Sequence, residues 1–291
     1  MTGVLIGKKA IITGAGTGLG FEIAKDYLAA GADVLICGRN IEVLRKSGEQ
    51  LSQLISPGQK IIWRQADVSK PHEANTLVAD ALNRLGGCHI LVNNAGVYGP
   101  KGESEKVDWE SWVDTIQINL MGSVLMCRAL IPHFKSQKYG KIIQLSGGGA
   151  TQPMPLISAY AVSKAAVVRF VESLAEEVRE FGIDINSIAP GALNTGMLEE
   201  ILIAGPEKVG VDFYKKSLMQ KESGGSPLDL GSNLALFLAS AKSDGISGKL
   251  ISAVWDKWDD FPSHFDDLMG SDVYTLRRIT AKDRSYSWGD K

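Results

Sequence analysis

Four residues have the types and the order to exchange a proton with an oxygen on a reacting carbon: Asn119, Ser146, Tyr160 and Lys164. Tyr160 and Lys164 open a strongly patterned helical stretch, YAVSKAAVVRFVESLAEEV. Their i, i+4 spacing puts both on one helix face, about 5–6 Å apart at Cβ. An ammonium that close favours the phenolate and lowers the phenol's pKa from its ordinary ~10. The phenol then serves as a general acid or base nearer neutral pH. On its own, the pair also reads as a surface tyrosine beside a solvated lysine. Ser146 follows an apolar run and precedes Tyr160 in the chain. A hydroxyl there could hold a substrate oxygen while Tyr160 exchanges its proton, or it could simply cap a strand end. Gly147, Gly148 and Gly149 keep the adjoining loop narrow. Asn119 lies inside a helical pattern, where Asn is mildly unfavourable. It either holds a water that passes protons to Lys164, or is a buried amide paired with backbone.

A second set of residues suits phosphate. The segment Thr13-Gly14-Ala15-Gly16-Thr17-Gly18-Leu19-Gly20 follows a strand-like run and opens a helix pattern. Glycines at such a junction let backbone turn sharply and approach a pyrophosphate, and the helix N-terminus offers free N–H groups to it. A plain tight turn has the same composition, but here the turn begins a whole strand–helix–strand unit. The next strand ends Cys37-Gly38-Arg39-Asn40, with no acid to bind the ribose hydroxyls of NAD(H). Arg39 instead offers a guanidinium to the 2′-phosphate of NADP(H), which is therefore favoured over NAD(H); a solvated surface arginine is the alternative. Asp67 and Val68 follow the third strand. Asp67 either accepts a hydrogen bond from an amino group such as that of adenine, or caps the helix that begins near Pro71. Asn93-Asn94-Ala95-Gly96 closes the fourth strand. Asn side chains there can tie strand ends together, while Ala95 and Gly96 leave room for a ligand; a plain turn is the alternative.

The elements that must position these residues are strands and helices in alternation. Strand-like runs lie at 9–13, 33–37, 61–65, 89–93, 141–145, 183–188 and 248–252. Helical patterns lie near 18–30, 40–55, 71–85, 109–135, 157–181 and 227–240. Most of the strands are apolar almost throughout, as parallel strands covered on both faces are. The rhythm predicts a doubly wound, Rossmann-like α/β fold: a parallel seven-stranded sheet with helices on both faces. Residues 1–252 read as one dinucleotide-binding and catalytic domain, with 192–226 as its substrate-loop region. Residues 253–291 form an aromatic- and charge-rich extension, expected to pack on the domain or on a neighbouring subunit.

Composition excludes several classes. With Lys+Arg 31 against Asp+Glu 33, the net charge of -2 makes no electrostatic case for nucleic acid or an anionic membrane. No run approaches the roughly 18 consecutive apolar residues of a membrane helix, and no signal core precedes the first strand. The three cysteines, Cys37, Cys88 and Cys127, are too few and too irregular for a disulfide framework. They suit a reduced, cytoplasmic protein. The four histidines show no metal-ligand spacing, so no metal is expected.

Taken together, TGAGTGLG at 13–20, Asp67, NNAG at 93–96, Asn119, Ser146, YAVSK at 160–164 and PGALNT at 190–195 resemble the short-chain dehydrogenase/reductase family. The resemblance covers roughly residues 5–252. It implies Tyr160 as proton donor or acceptor, Lys164 on the nicotinamide ribose, Ser146 orienting the carbonyl and Asn119 completing a proton relay. It places Pro190, Gly191 and Thr195 at the nicotinamide end, and Gly14, Thr17, Gly18, Leu19 and Gly20 around the phosphates. It also implies a small-molecule carbonyl or alcohol substrate, and a homodimer or homotetramer built on the helices at 109–135 and 157–181. The face Val162, Ala165, Ala166, Leu174 and Val178 suits either that interface or the core. The long tail resembles that of members linked to surface polysaccharides or nucleotide sugars, which suggests a polar, sugar-like substrate. A non-catalytic NADP(H) sensor or scaffold and a nucleotide-sugar-modifying enzyme are the alternatives.

Overall fold

Runs of Ile, Val, Leu and Ala form the strands because branched side chains fill both faces of a covered sheet. The computed structural model describes residues 3–289. The strands are β1 (Lys9–Thr13), β2 (Asp33–Gly38), β3 (Ile61–Gln65), β4 (Ile90–Asn93), β5 (Gly140–Leu145), β6 (Ile183–Ala189) and β7 (Leu250–Ser252). They form one parallel sheet in the order β3-β2-β1-β4-β5-β6-β7. His89 and residues 248–249 fall just outside the strands expected there.

Helices cover both faces. One face carries α1 (Gly18–Ala29), α2 (Ile41–Ser52) and, from later in the chain, α10 (Leu228–Ala239); Tyr27, Leu44 and Phe237 sit in this half of the core. The other face carries α3 (Pro71–Ala81), α4 (Trp109–Ile116), α5 (Gly122–Gln137) and α6 (Ser158–Val178). Here Leu77, Met126, Phe134 and Val171 are buried. The helix expected at 109–135 is not continuous α-helix: a π turn over Gln117–Met121 joins α4 to α5 and carries Asn119. The whole run Trp109–Gln137 is long and apolar enough, by length and composition, to cross a bilayer, although it holds no unbroken apolar stretch of that length. Its buried Met126, Cys127, Leu130 and Phe134 mark it as a core helix.

Residues 192–226 are more regular than their composition suggested. They fold as α7 (Gly196–Ala204), α8 (Pro206–Val209) and α9 (Val211–Ser223). A parallel bridge between Leu193 and Ser226 closes the base of this excursion. The candidate interface face of α6 divides: Leu174 and Val178 go to the core, while Val162 is exposed.

The tail after β7 turns back onto the sheet edge, where Leu250 N–H donates to the Tyr274 carbonyl at 2.8 Å. A short helix, α11 (Phe265–Met269), follows a 3-10 turn. Phe261 and Leu268 are buried in the core half that includes α10, and Trp258 meets Phe237 at a ring-centroid distance of 5.3 Å. Phe261→Ala should therefore lower the unfolding free energy by about 3–4 kcal/mol. Urea unfolding checks this, and an unchanged midpoint would show that the tail is not part of the core.

Candidate active site

Because the chain leaves β1 toward β2 and leaves β4 toward β5, a crevice opens over the C-terminal ends of β1 and β4, where open α/β sheets bind ligands. The cleft there has a volume of about 390 Å³. Gly14, Thr17, Gly18 and Leu19 line one end. Gly14 has φ +63°, and a Cβ on it would lie 2.7 Å from Ala95 Cα, so only glycine fits this turn. Thr17 leads into α1 without a side-chain cap, so the first-turn N–H groups of α1 remain available to an anion. Gly20 does not line the cleft; a Cβ there would lie 2.4 Å from Asn94 Nδ2, so its role is close packing.

Arg39 lines the cleft at the end of β2 with an exposed side chain. Its carbonyl accepts from Gln65 Nε2 at 2.8 Å, which fixes the backbone and leaves the guanidinium free to reach a ligand. Asp67 and Val68 also line it. Asp67 does not cap α3, whose N-cap is Lys70; its Oδ1 accepts from Ser69 N–H at 3.0 Å and Ser69 Oγ at 2.7 Å. Ala95 and Gly96 line the cleft, but Asn93 does not. That placement corrects the expectation for Asn93, whose amide is buried against the Ser123 carbonyl and Cys127 Sγ, both at 3.4 Å. The strand's alternation turns its neighbour Asn94 the other way. Asn94 Nδ2 donates to the carbonyls of Thr13 at 2.9 Å and Gly14 at 3.0 Å. Thr13 Oγ1 in turn accepts from the N–H groups of Asn94 and Ala95.

At the opposite end, the first turns of α6 bring Tyr160 and Lys164 to the cleft, beside Ser146 at the end of β5. All three are buried. Lys164 Nζ donates to the Leu145 carbonyl at 2.9 Å and sits 5.6 Å from the centroid of the Tyr160 ring. Burial brings its pKa down to about 8. Burial also pushes the Tyr160 phenol well up, with nearby Tyr98 adding to the rise. The expected lowering of the phenol by Lys164 is therefore not present in the protein alone. Desolvation outweighs the ammonium, whose proton is directed at a backbone carbonyl. Ser146 Oγ donates to the Lys164 carbonyl at 3.3 Å.

Asn119 lies behind the cleft wall, 1% exposed. Its Nδ2 donates to the Val97 carbonyl and to Ser163 Oγ, each at 2.9 Å, and its Oδ1 accepts from Val97 N–H at 2.8 Å. The backbone-pairing alternative thus describes its direct contacts. Pro190, Gly191 and Thr195 also line the cleft, and Thr195 stands against the glycine turn, where a Cβ on Gly18 would lie 3.2 Å from its Cγ2.

A second cavity of about 560 Å³ adjoins the first and shares Ser146, Tyr160, Pro190, Gly191 and Tyr98 with it. Tyr98 is not marked by the sequence, and of the two asparagines offered there as ties between strand ends, Asn94 is the one that makes the tie. Tyr98 packs on Tyr160 at 4.6 Å between ring centroids, from a loop with no periodic pattern to reveal it. Gly147 was read as a narrow loop residue, and the reason is specific: a Cβ there would lie 2.7 Å from the Tyr160 hydroxyl oxygen. The phenol thus stands in the wall between a phosphate-ready cleft and a separate cavity, where it can exchange a proton with a molecule in the latter.

A buried ammonium is costly to the fold. A lysine whose pKa is about 8 folded and near 10.5 unfolded destabilises fully below pH 8, and the penalty fades as pH rises from 8 to 10.5. Lys164→Met should raise the unfolding free energy at pH 7 by on the order of 2–3 kcal/mol. The gain should shrink above pH 8. Denaturant unfolding at pH 7 and pH 10 checks this, and a loss of stability at pH 7 would contradict it.

The family model for short chain dehydrogenase matches residues 8–204. The 3beta-hydroxysteroid dehydrogenase 1 of Eggerthella lenta is 34% identical over 245 residues, covering 84% of this chain and 91% of the relative. The L-fucose dehydrogenase of Oryctolagus cuniculus is 28% identical over 243 residues, covering 81% of this chain and 80% of the relative. Among solved structures, a gluconate 5-dehydrogenase from Burkholderia cenocepacia in complex with NADP and tartrate is similar with a TM-score of 0.74 and 26% identity, covering 85% of this chain and 94% of that one. With the family's model, its fold and named dehydrogenase relatives all matched, the chain belongs to the short-chain dehydrogenase/reductase family, nicotinamide-dependent oxidoreductases of hydroxyl and carbonyl groups.

Proposed function

We propose that this chain catalyses reversible, NADP(H)-dependent hydride transfer between nicotinamide and the carbon of a carbonyl or secondary alcohol, in a polar, sugar-like substrate. The observation that carries the proposal is the place of the Tyr160 hydroxyl, in the wall shared by the two cavities. The residues present suit the cofactor: a glycine turn that no side chain could enter, an open helix N-terminus and the Arg39 guanidinium at the far end of one cleft. When bound, the nicotinamide supplies or accepts the hydride.

The chain's own residues handle the proton. Tyr160 gives its phenolic proton to the substrate oxygen on reduction and takes one back on oxidation. Ser146 holds the same oxygen from the neighbouring strand end. Lys164 has two tasks: its ammonium holds the nicotinamide ribose, and it stabilises the phenolate as that forms. Asn119 forms the inner end of a proton relay. Support for this comes from Gly96, where a Cβ would lie 3.3 Å from Asn119 Oδ1 and 3.6 Å from Lys164 Nζ, so the two groups face one point.

The preference for NADP(H) rests on Arg39 and on the absence of an acid at the end of β2. A sugar-like substrate is consistent with the L-fucose dehydrogenase among the relatives. The three buried, unpaired cysteines suit the cytoplasm. Assembly as a homodimer or homotetramer would cover exposed Met121 and Val162 on the long helices.

Tyr160→Phe should lower kcat by roughly 10²–10⁴-fold with NADPH affinity unchanged. Steady-state kinetics and a fluorescence titration check this, and near-normal turnover would remove Tyr160 from the acid/base role. Arg39→Asp should shift the NADPH/NADH affinity ratio toward NADH by about 10–100-fold, the worth of a charge-assisted contact. An unchanged ratio would count against the 2′-phosphate contact.

A further inference from the structure

The two cavities differ in charge. The cofactor-side cleft is lined by two cations, Arg39 and Lys164, and two carboxylates, Asp67 and Glu200. Among the described residues, the cavity on the other side of Tyr160 is lined by a single charged side chain, Asp256, and by no lysine, arginine or histidine. Asp256 comes from the turn that follows β7, and burial pushes its carboxyl up. One oxygen, Oδ2, accepts from Ser252 N–H at 2.6 Å, which fixes the side chain and leaves its acceptor capacity unfilled. Gln220 contributes a second acceptor. Its Nε2 is committed to the Leu193 carbonyl and Asn194 Oδ1, so its own carbonyl oxygen is left for a ligand. Beside Asp256, Trp255 stands on the rim, 84% exposed.

Resting on the oxidoreductase reading above, we infer that the substrate is an uncharged polyhydroxylated molecule, and that Asp256 sets this specificity by accepting one of its hydroxyls and repelling carboxylates and phosphates. An ionised carboxylate offers only acceptors, so it pairs with O–H donors and not with another anion. An anionic substrate entering this cavity would shed water and meet a like charge, with no cation on the lining to compensate. A neutral polyol meets none of this penalty. The indole of Trp255 adds an apolar face against which a sugar ring's C–H face can rest.

The test compares xylitol with xylonate and galactitol with galactonate, on the NADP⁺-loaded protein, by kcat/KM and by isothermal titration. The polyols should be preferred over the matched acids by on the order of 10–100-fold. Asp256→Asn keeps an acceptor for Ser252 N–H, so the fold should hold while the preference narrows about tenfold, chiefly through the KM of the acid. Asp256→Lys should reverse it. A purely structural Asp256 would weaken both members of a pair equally and leave their ratio fixed, which would overturn the inference. Acids used as well as polyols by the unaltered protein, or no binding of either polyol, would also overturn it. Binding without any turnover, with the same preference, would uphold the inference and contradict the oxidoreductase reading instead.

Discussion

Everything at this site depends on how the ends of β1 and β4 are held beside each other. They are central strands, and the chain leaves them in opposite directions, so backbone groups at the crevice lose their ladder partners. Thr13 and Asn94 supply the missing bonds. The Asn94 amide satisfies the carbonyls of Thr13 and Gly14, and the Thr13 hydroxyl satisfies two N–H groups of the opposite strand end. The glycine turn begins from one side of this knot and Gly96 from the other. Gly14 approaches Ala95 so closely that neither strand end could move without the other. The two ends of the cleft are thereby set from one anchor.

Burial governs the two residues proposed to handle the proton. Tyr160 and Lys164 are both nearly dry, and desolvation pushes each toward its neutral form. A neutral phenol suits a donor; a lysine near its titration point responds to any added charge. A phosphorylated, sugar-bearing cofactor would bring such charge into the cleft. The protein alone holds the pair in a state of poise, with Lys164 anchored to the Leu145 carbonyl.

Much of this was legible in the sequence. The strands at 9–13 and 61–65 match their expected bounds to the residue: β1 is a buried apolar run, while the edge strand β3 keeps only Ile61, Ile62 and Trp63 apolar and exposes Arg64 and Gln65. Tyr160, Lys164 and Ser146 were found by type, order and spacing, and the fold brings them to one place. What escaped has physical reasons. Two adjacent asparagines look alike in sequence, yet strand alternation sends Asn93 into the core and Asn94 into the knot. The π turn at Asn119 leaves no periodic trace. The helices over 196–223 were obscured because exposed apolar residues such as Ile203, Val211 and Met219 blur the amphipathic pattern. The balance between desolvation and the ammonium at Tyr160 depends on burial, which spacing does not encode.

The central claim is that the glycine turn, α1 and Arg39 form one end of a cleft for NADP(H), and Tyr160 the other. Fluorescence titration of the unaltered protein with NADPH and with NADH tests it most directly. The account predicts saturable binding of both, tighter for NADPH. Saturable binding of neither, or tighter binding of NADH, would contradict it.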